Sequence, residues 1–90
     1  MHAIFHLPSV YASSADDPTV RAVGATLGEA IADIASRYPA LGARLCDGSG
    51  KPHAFVSFYV NGDDFRTLNG LDTELHEDDE VTVVPAIAGG

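Results

Sequence analysis

From His2 to Leu7 the chain alternates, with Ala3, Phe5 and Leu7 on one side and His2, Ile4 and His6 on the other. That period of two predicts a strand with one wholly apolar face. The polar stretch Ser13 to Pro18 reads as a loop, and Thr19 to Val23 is β-branched enough to be the return arm of a hairpin. Thr26-Leu27-Gly28-Glu29 then fits a capping box, in which a hydroxyl and a carboxylate satisfy the free amides of a helix start. Leu27, Ile31, Ile34 and Tyr38 follow at helical spacing, a single apolar stripe that Pro39 terminates. Leu41 and Leu45 predict a short helical turn running to Cys46, and Asp47 to Pro52 is a loop by composition.

The second half reads as strands. Ala54, Val56, Phe58 and Val60 alternate with Phe55, Ser57 and Tyr59, and Asn61-Gly62 directly afterwards is a strong two-residue hairpin signal. Asp63 to Thr67 would be the short return strand, Leu68 to Leu75 a connector with a helical turn, and Val81 to Val84 the last strand, stopped by Pro85. The order β-β-α-β-β-β, with one long helix that is apolar on one face, predicts an α+β fold. It describes a β-grasp: a mixed sheet of about five strands around one main helix. At ninety residues there is room for one such domain, 1–85, followed by a flexible tail, 86–90.

Charge narrows the function. Five basic residues face thirteen acidic ones, a net charge of −8, and the basic ones are scattered. Neither nucleic acid nor an anionic membrane is a natural partner for such a surface. A field of that sign predicts basic partners reached by electrostatic steering. The C-terminal third concentrates the acids, from Asp63 to Glu80, so a protein accepting the tail is expected to carry basic residues around its channel. The first residues lack a basic segment followed by a long apolar run, no apolar run reaches membrane-spanning length, and Cys46 is the only cysteine. These features predict a reduced, cytoplasmic protein.

Several residues tempt a chemical reading. His2 and His6 have HxxxH spacing, but on a strand four residues span roughly 13 Å, too far for one ion. His53 and His76 lie in loops without a second ligand at a recognisable spacing, so no metal site is expected. Cys46 has no basic neighbour in sequence to lower its pKa and reads as a small hydrophobe. The run Glu77 to Glu80 lacks the spaced carboxylates of a calcium loop and reads as a solvated turn. If the apolar faces cover the helix, Ile4, Phe55, Tyr59 and Val84 face away from it, either as a docking patch or as scattered exposed hydrophobes.

After Pro85 come Ala86, Ile87, Ala88, Gly89 and Gly90. Read alone, this is an end that frays, or a slim stalk without side chains at its tip that threads a partner's channel. A β-grasp of this length ending in Gly-Gly resembles the ubiquitin-like sulfur carriers of the MoaD/ThiS type. Within them, the segment 55–66, the pattern Leu68-x-Gly70-Leu71-Asp72-Thr73 and the ending Val83 to Gly90 look like the CysO-type carrier of cysteine biosynthesis.

The resemblance implies that the Gly90 carboxylate is adenylated by an E1-like enzyme and converted to a thiocarboxylate, which delivers sulfide to an acceptor such as a cysteine-synthase-like enzyme. It implies that ATP and Mg²⁺ belong to the activating partner, and that the carrier binds no cofactor and is not itself an enzyme. Related carriers serve molybdopterin, thiamin or secondary metabolites, and a ubiquitin-like modifier or a plain interaction module would have the same outline.

Overall fold

The computed structural model describes residues 2–12 and 17–85. Part of the expected loop at 13–16 and the whole of the expected tail, 86–90, lie outside the described residues. The elements in chain order are β1 (His2–His6), α1 (Ser9–Ala12), β2 (Thr19–Val23), α2 (Leu27–Arg37), α3 (Pro39–Leu45), β3 (Val56–Val60), β4 (Asp63–Asp64) and β5 (Asp79–Pro85). Two 3₁₀ turns, Phe65–Thr67 and Gly70–Asp72, separate β4 from β5.

The five strands form one sheet in the order β2-β1-β5-β3-β4. β1 and β5 are parallel, with Phe5 opposite Val81, and every other pairing is antiparallel. This mixed sheet crossed by α2 is the expected β-grasp. Ala3, Phe5, Val20, Ala22, Val56, Phe58, Val81 and Val83 point inward and meet Leu27, Ala30, Ile31 and Ile34 of α2. Burying one face of the sheet and one stripe of the helix is what the two hydrophobic periods require.

Local chemistry sets the boundaries. Thr26 Oγ1 accepts the Glu29 amide at 3.2 Å, while the Glu29 carboxylate accepts the Ala25 amide at 3.0 Å, so the box closes one residue earlier than its usual form. Pro39 ends α2 and opens α3, occupying a first-turn position where no amide donor is needed. α3 packs closely on α2 because Gly42 has no side chain: a Cβ there would lie 2.6 Å from that of Ala35.

Three expectations change. The third strand starts at Val56, not Ala54, because the Val56 amide turns back to the His53 carbonyl at 3.0 Å and leaves Ala54 and Phe55 in a turn. The return strand is two residues long, since Asp64 accepts the Arg66 amide at 2.9 Å and caps a 3₁₀ turn instead. The last strand is longer than Val81 to Val84, and it includes Pro85, which pairs with Val56 at its end. α1 was not expected.

The sheet's lateral borders are closed by side chains. On β2 the Val23 amide donates to Asp33 Oδ2 at 2.9 Å, Arg37 donates to the Arg21 carbonyl, and the Thr19 amide donates to Asp17 at 2.9 Å. Asp33 and Arg37 also pair with each other at 2.9 Å across one turn of α2. Beyond the end of β4, Arg66 donates to the Val56 carbonyl at 3.1 Å.

The Val23 amide, and then Arg37, hold the Asp33 carboxyl below its ordinary value despite partial burial. A depressed carboxylate contributes stability that is complete above the unfolded value, near 3.8, and is lost as pH falls through the folded value. Asp33→Asn is therefore expected to lower the denaturant midpoint at neutral pH and to flatten its decline between about pH 5 and 3. Unfolding curves across that range check both.

Candidate functional site

The chain passes into residues 86–90 from Pro85, so the site begins with what surrounds that residue. Because β1 and β5 run parallel, both finish at the same end of the sheet; β3, antiparallel to β5, starts there. A shallow pocket of about 310 Å³ lies between the two strand ends, lined by His6, Pro8, Thr82, Val84 and Pro85 among others.

The outer sheet face carries three of the four residues expected to dock. Tyr59 sits opposite Thr82, and Val84 sits opposite Ser57. Tyr59 and Val84 are thus diagonal neighbours on adjacent strands, close enough for an aromatic ring to reach across. Ile4 is opposite Glu80 on the other side of β5, with His6 beside it along β1. The His6 Nε2 to Glu80 Oε1 contact, 2.7 Å, puts a polar pair between Ile4 and Tyr59. The structure brings Tyr59 and Val84 together and separates Ile4 from them.

Phe55 lies in the turn before β3 rather than on the sheet, 48% exposed and stacked on His53 at 4.9 Å. It stands next to Val56, the partner of Pro85, and so beside the point where the tail begins. Two neighbours were missed from sequence. Ser57 is buried on the outer face with its hydroxyl unpartnered, and Arg66 holds the carbonyls of Ala54 and Val56 at 3.4 and 3.1 Å. A lone Ser among Val, Phe and Tyr was the available signal for the first; nothing local marks the second.

The acidic residues lie elsewhere. Glu77 to Glu80 form the turn that enters β5, whereas the tail follows its far end, about 20 Å away at the rise of a strand. The acids of that turn and Pro85 therefore lie at opposite ends of β5, while the tail itself is outside the described residues.

The histidines are engaged locally. His2 faces Glu77 at 3.5 Å and His76 faces Asp79 at 3.6 Å, while the His53 ring contacts the Ala43 carbonyl at 3.1 Å. Among the described residues no three His, Cys, Asp or Glu side chains gather as a ligand set. A pocket of about 650 Å³ is on the helix side, between α2, α3 and the loop to His53. It includes Cys46, whose thiol is pushed up by burial and then by Asp47, the opposite of an activated nucleophile. No helix among the described residues is long and apolar enough to cross a membrane.

The ThiS family model matches residues 10–90. Sulfur carrier protein CysO of Mycobacterium tuberculosis is 46% identical over 74 residues, 80% of each protein. Small archaeal modifier protein 3 of Haloferax volcanii is 39% identical over 67 residues, 73% of this chain and 71% of that protein. A chain in the crystal structure of the Amycolatopsis orientalis BexX/CysO complex superposes with a TM-score of 0.87 at 36% identity, covering 98% of this chain and 99% of that one. A β-grasp sheet whose last strand leads into Gly-Gly, matched through to residue 90, is accounted for in one way: the chain belongs to the ThiS family.

Proposed function

We propose that the protein is a sulfur carrier that works through the carboxylate of Gly90. The observation that carries this reading is the 46% identity to sulfur carrier protein CysO. The placement of the tail directly after a strand buried in the core agrees with it. A carboxylate resists nucleophiles because of its charge and has no adequate leaving group. An E1-like enzyme would join the Gly90 carboxylate to the α-phosphate of ATP, releasing pyrophosphate and making an acyl adenylate. A sulfide equivalent then displaces AMP and leaves a thiocarboxylate, whose sulfur is delivered to an electrophile held by a second enzyme. Magnesium and ATP sit on the activating enzyme, and the carrier supplies only the acyl group and the surface that presents it.

Cysteine synthesis is the proposed destination, through a cysteine-synthase-like acceptor. Carriage to molybdopterin, thiamin or a secondary metabolite uses the same chemistry. The similarity to small archaeal modifier protein 3 favours a second reading, in which a lysine ε-amine of another protein attacks the activated Gly90.

Intact mass tests the proposal. Protein isolated from its own host should contain a species heavier by the difference between sulfur and oxygen, and alkylation should convert it. The alkylation step matters because methionine oxidation adds nearly the same mass. A chain with an unmodified carboxylate under sulfur-replete growth would overturn the carrier reading, and isopeptide-linked conjugates in its place would support the second.

A further inference from the structure

The end of the molecule that carries the tail has a different chemistry from the rest of the surface. At that end Arg66 lies over the Phe65 ring at 5.1 Å while donating to the carbonyls of Ala54 and Val56, and its side chain remains 51% exposed. The flat stack of His53 on Phe55 stands next to it, and exposed Lys51 is two residues before His53. Val84 and Phe55 are exposed beside the same strand end. A guanidinium has five N–H donors in a fixed fork, so two carbonyl contacts do not exhaust it.

The carboxylates described near this end keep their charge but are bonded locally, so with Arg66 and Lys51 they leave it near charge balance. Asp47 accepts the Ser49 amide, the Ser49 hydroxyl and the Lys51 amide at 2.7 to 3.1 Å. Asp17 accepts the Thr19 amide, and Asp64 accepts the Arg66 amide with its other oxygen 4.0 Å from the guanidinium. The acids of the turn from Glu77 to Glu80 are at the far end of β5. A chain of net charge −8 thus gathers acids at the turn that enters β5 and places two cations and exposed rings around Pro85, where residues 86–90 begin.

We propose that Arg66, Lys51 and the His53–Phe55 stack form a docking collar for a carboxylate-bearing rim on the proteins that receive residues 86–90. Charge complementarity selects that occupant: a basic rim, the choice that net charge alone suggests, would be attracted to the acidic turn that enters β5, at the opposite end of the strand from Pro85. Arginine held over a ring and anchored to backbone is preorganised for carboxylate pairing and loses little freedom on docking. Phe55 supplies the apolar contact area that sustains a complex once formed. The inference rests on the reading that residues 86–90 are what a partner takes up.

The test is the fraction of chain carrying sulfur, measured by intact mass with alkylation in the protein's own host, for four variants. Lys51→Glu reverses a charge on a residue that the loop uses only through its backbone. Arg66→Gln removes charge but keeps an N–H donor for the carbonyls. The third variant combines them, and Asp63→Lys changes charge at the hairpin, toward the acidic end. The double variant is expected to load about tenfold less than wild type, with each single change intermediate and Asp63→Lys unaffected.

Loading of the folded Lys51→Glu and Arg66→Gln proteins at the wild-type level would overturn the collar while leaving the carrier reading in place. An equal loss in Asp63→Lys would also overturn it, since the effect would then not be confined to the end of β5 where Pro85 lies. Absence of sulfur on the wild-type chain would instead remove the carrier reading, and the collar with it. Thermal melts accompany each variant, and should Arg66→Gln unfold, Lys51→Glu decides alone.

Discussion

Deleting Gly90 is expected to abolish sulfur loading and to leave the thermal midpoint unchanged. The five residues after Pro85 reach at most about 17 Å when extended, and each residue removed withdraws the carboxylate by about 3.4 Å. Attack of a carboxylate oxygen on the α-phosphorus of ATP is sensitive to misplacement by about 1 Å, which can cost about a hundredfold in rate, so one residue is decisive. Adding a residue beyond Gly90 is expected to fail for the same reason. The hydrophobic core of the described residues runs from Ala3 to Val83, which is why stability should not change. Loading that survives the deletion would contradict the placement of the chemistry at Gly90, and unfolding would show that the tail supports the core.

The largest loss of stability is expected from Phe58→Ala, about 3–5 kcal/mol in chemical denaturation. Phe58 is fully buried in β3 and meets Phe5 of β1 edge to face at 6.5 Å and Phe65 of the 3₁₀ turn at 5.5 Å. It therefore joins a strand on the far side of β5 to the segment after β4. A chain of this length has about 5–13 kcal/mol in total, so the variant would be close to its folding threshold. A loss under about 1 kcal/mol would mean that the neighbouring rings collapse into the space.

Much of the fold was legible because its determinants are local. The alternation of Ala3, Phe5 and Leu7, the Thr26–Glu29 box, Pro39 and the Asn61-Gly62 turn each act over a few residues, and each appears where it was read. Boundaries failed where a hydrogen bond across a turn overruled a pattern. Phe55 keeps the parity of a strand residue, yet the bond from Val56 to His53 removes it from the sheet.

The grouping on the outer sheet face was half legible. Tyr59 and Val84 could be assigned to the outer face, but their proximity, and the separation of Ile4, depend on β5 lying between β1 and β3. Charge placement was hidden for a geometric reason. Glu80 is close to Pro85 in sequence, but the strand between them is extended and carries the two apart.

The side chains that close the borders of the sheet have a consequence for dosage. A sulfur carrier of the kind proposed has its carboxylate restored by each delivery and must be reloaded, so more copies allow more sulfur to be in transit at once. Crowded copies of a small β-protein meet one another most often, and an open border would let two sheets join through their backbones. With Asp33 and Arg37 occupying one border and Arg66 the Val56 carbonyl beyond β4, such encounters find fewer open backbone groups, and the shared net charge of −8 opposes them. Concentrated solutions of the protein are therefore expected to stay free of fibres, which light scattering over time checks.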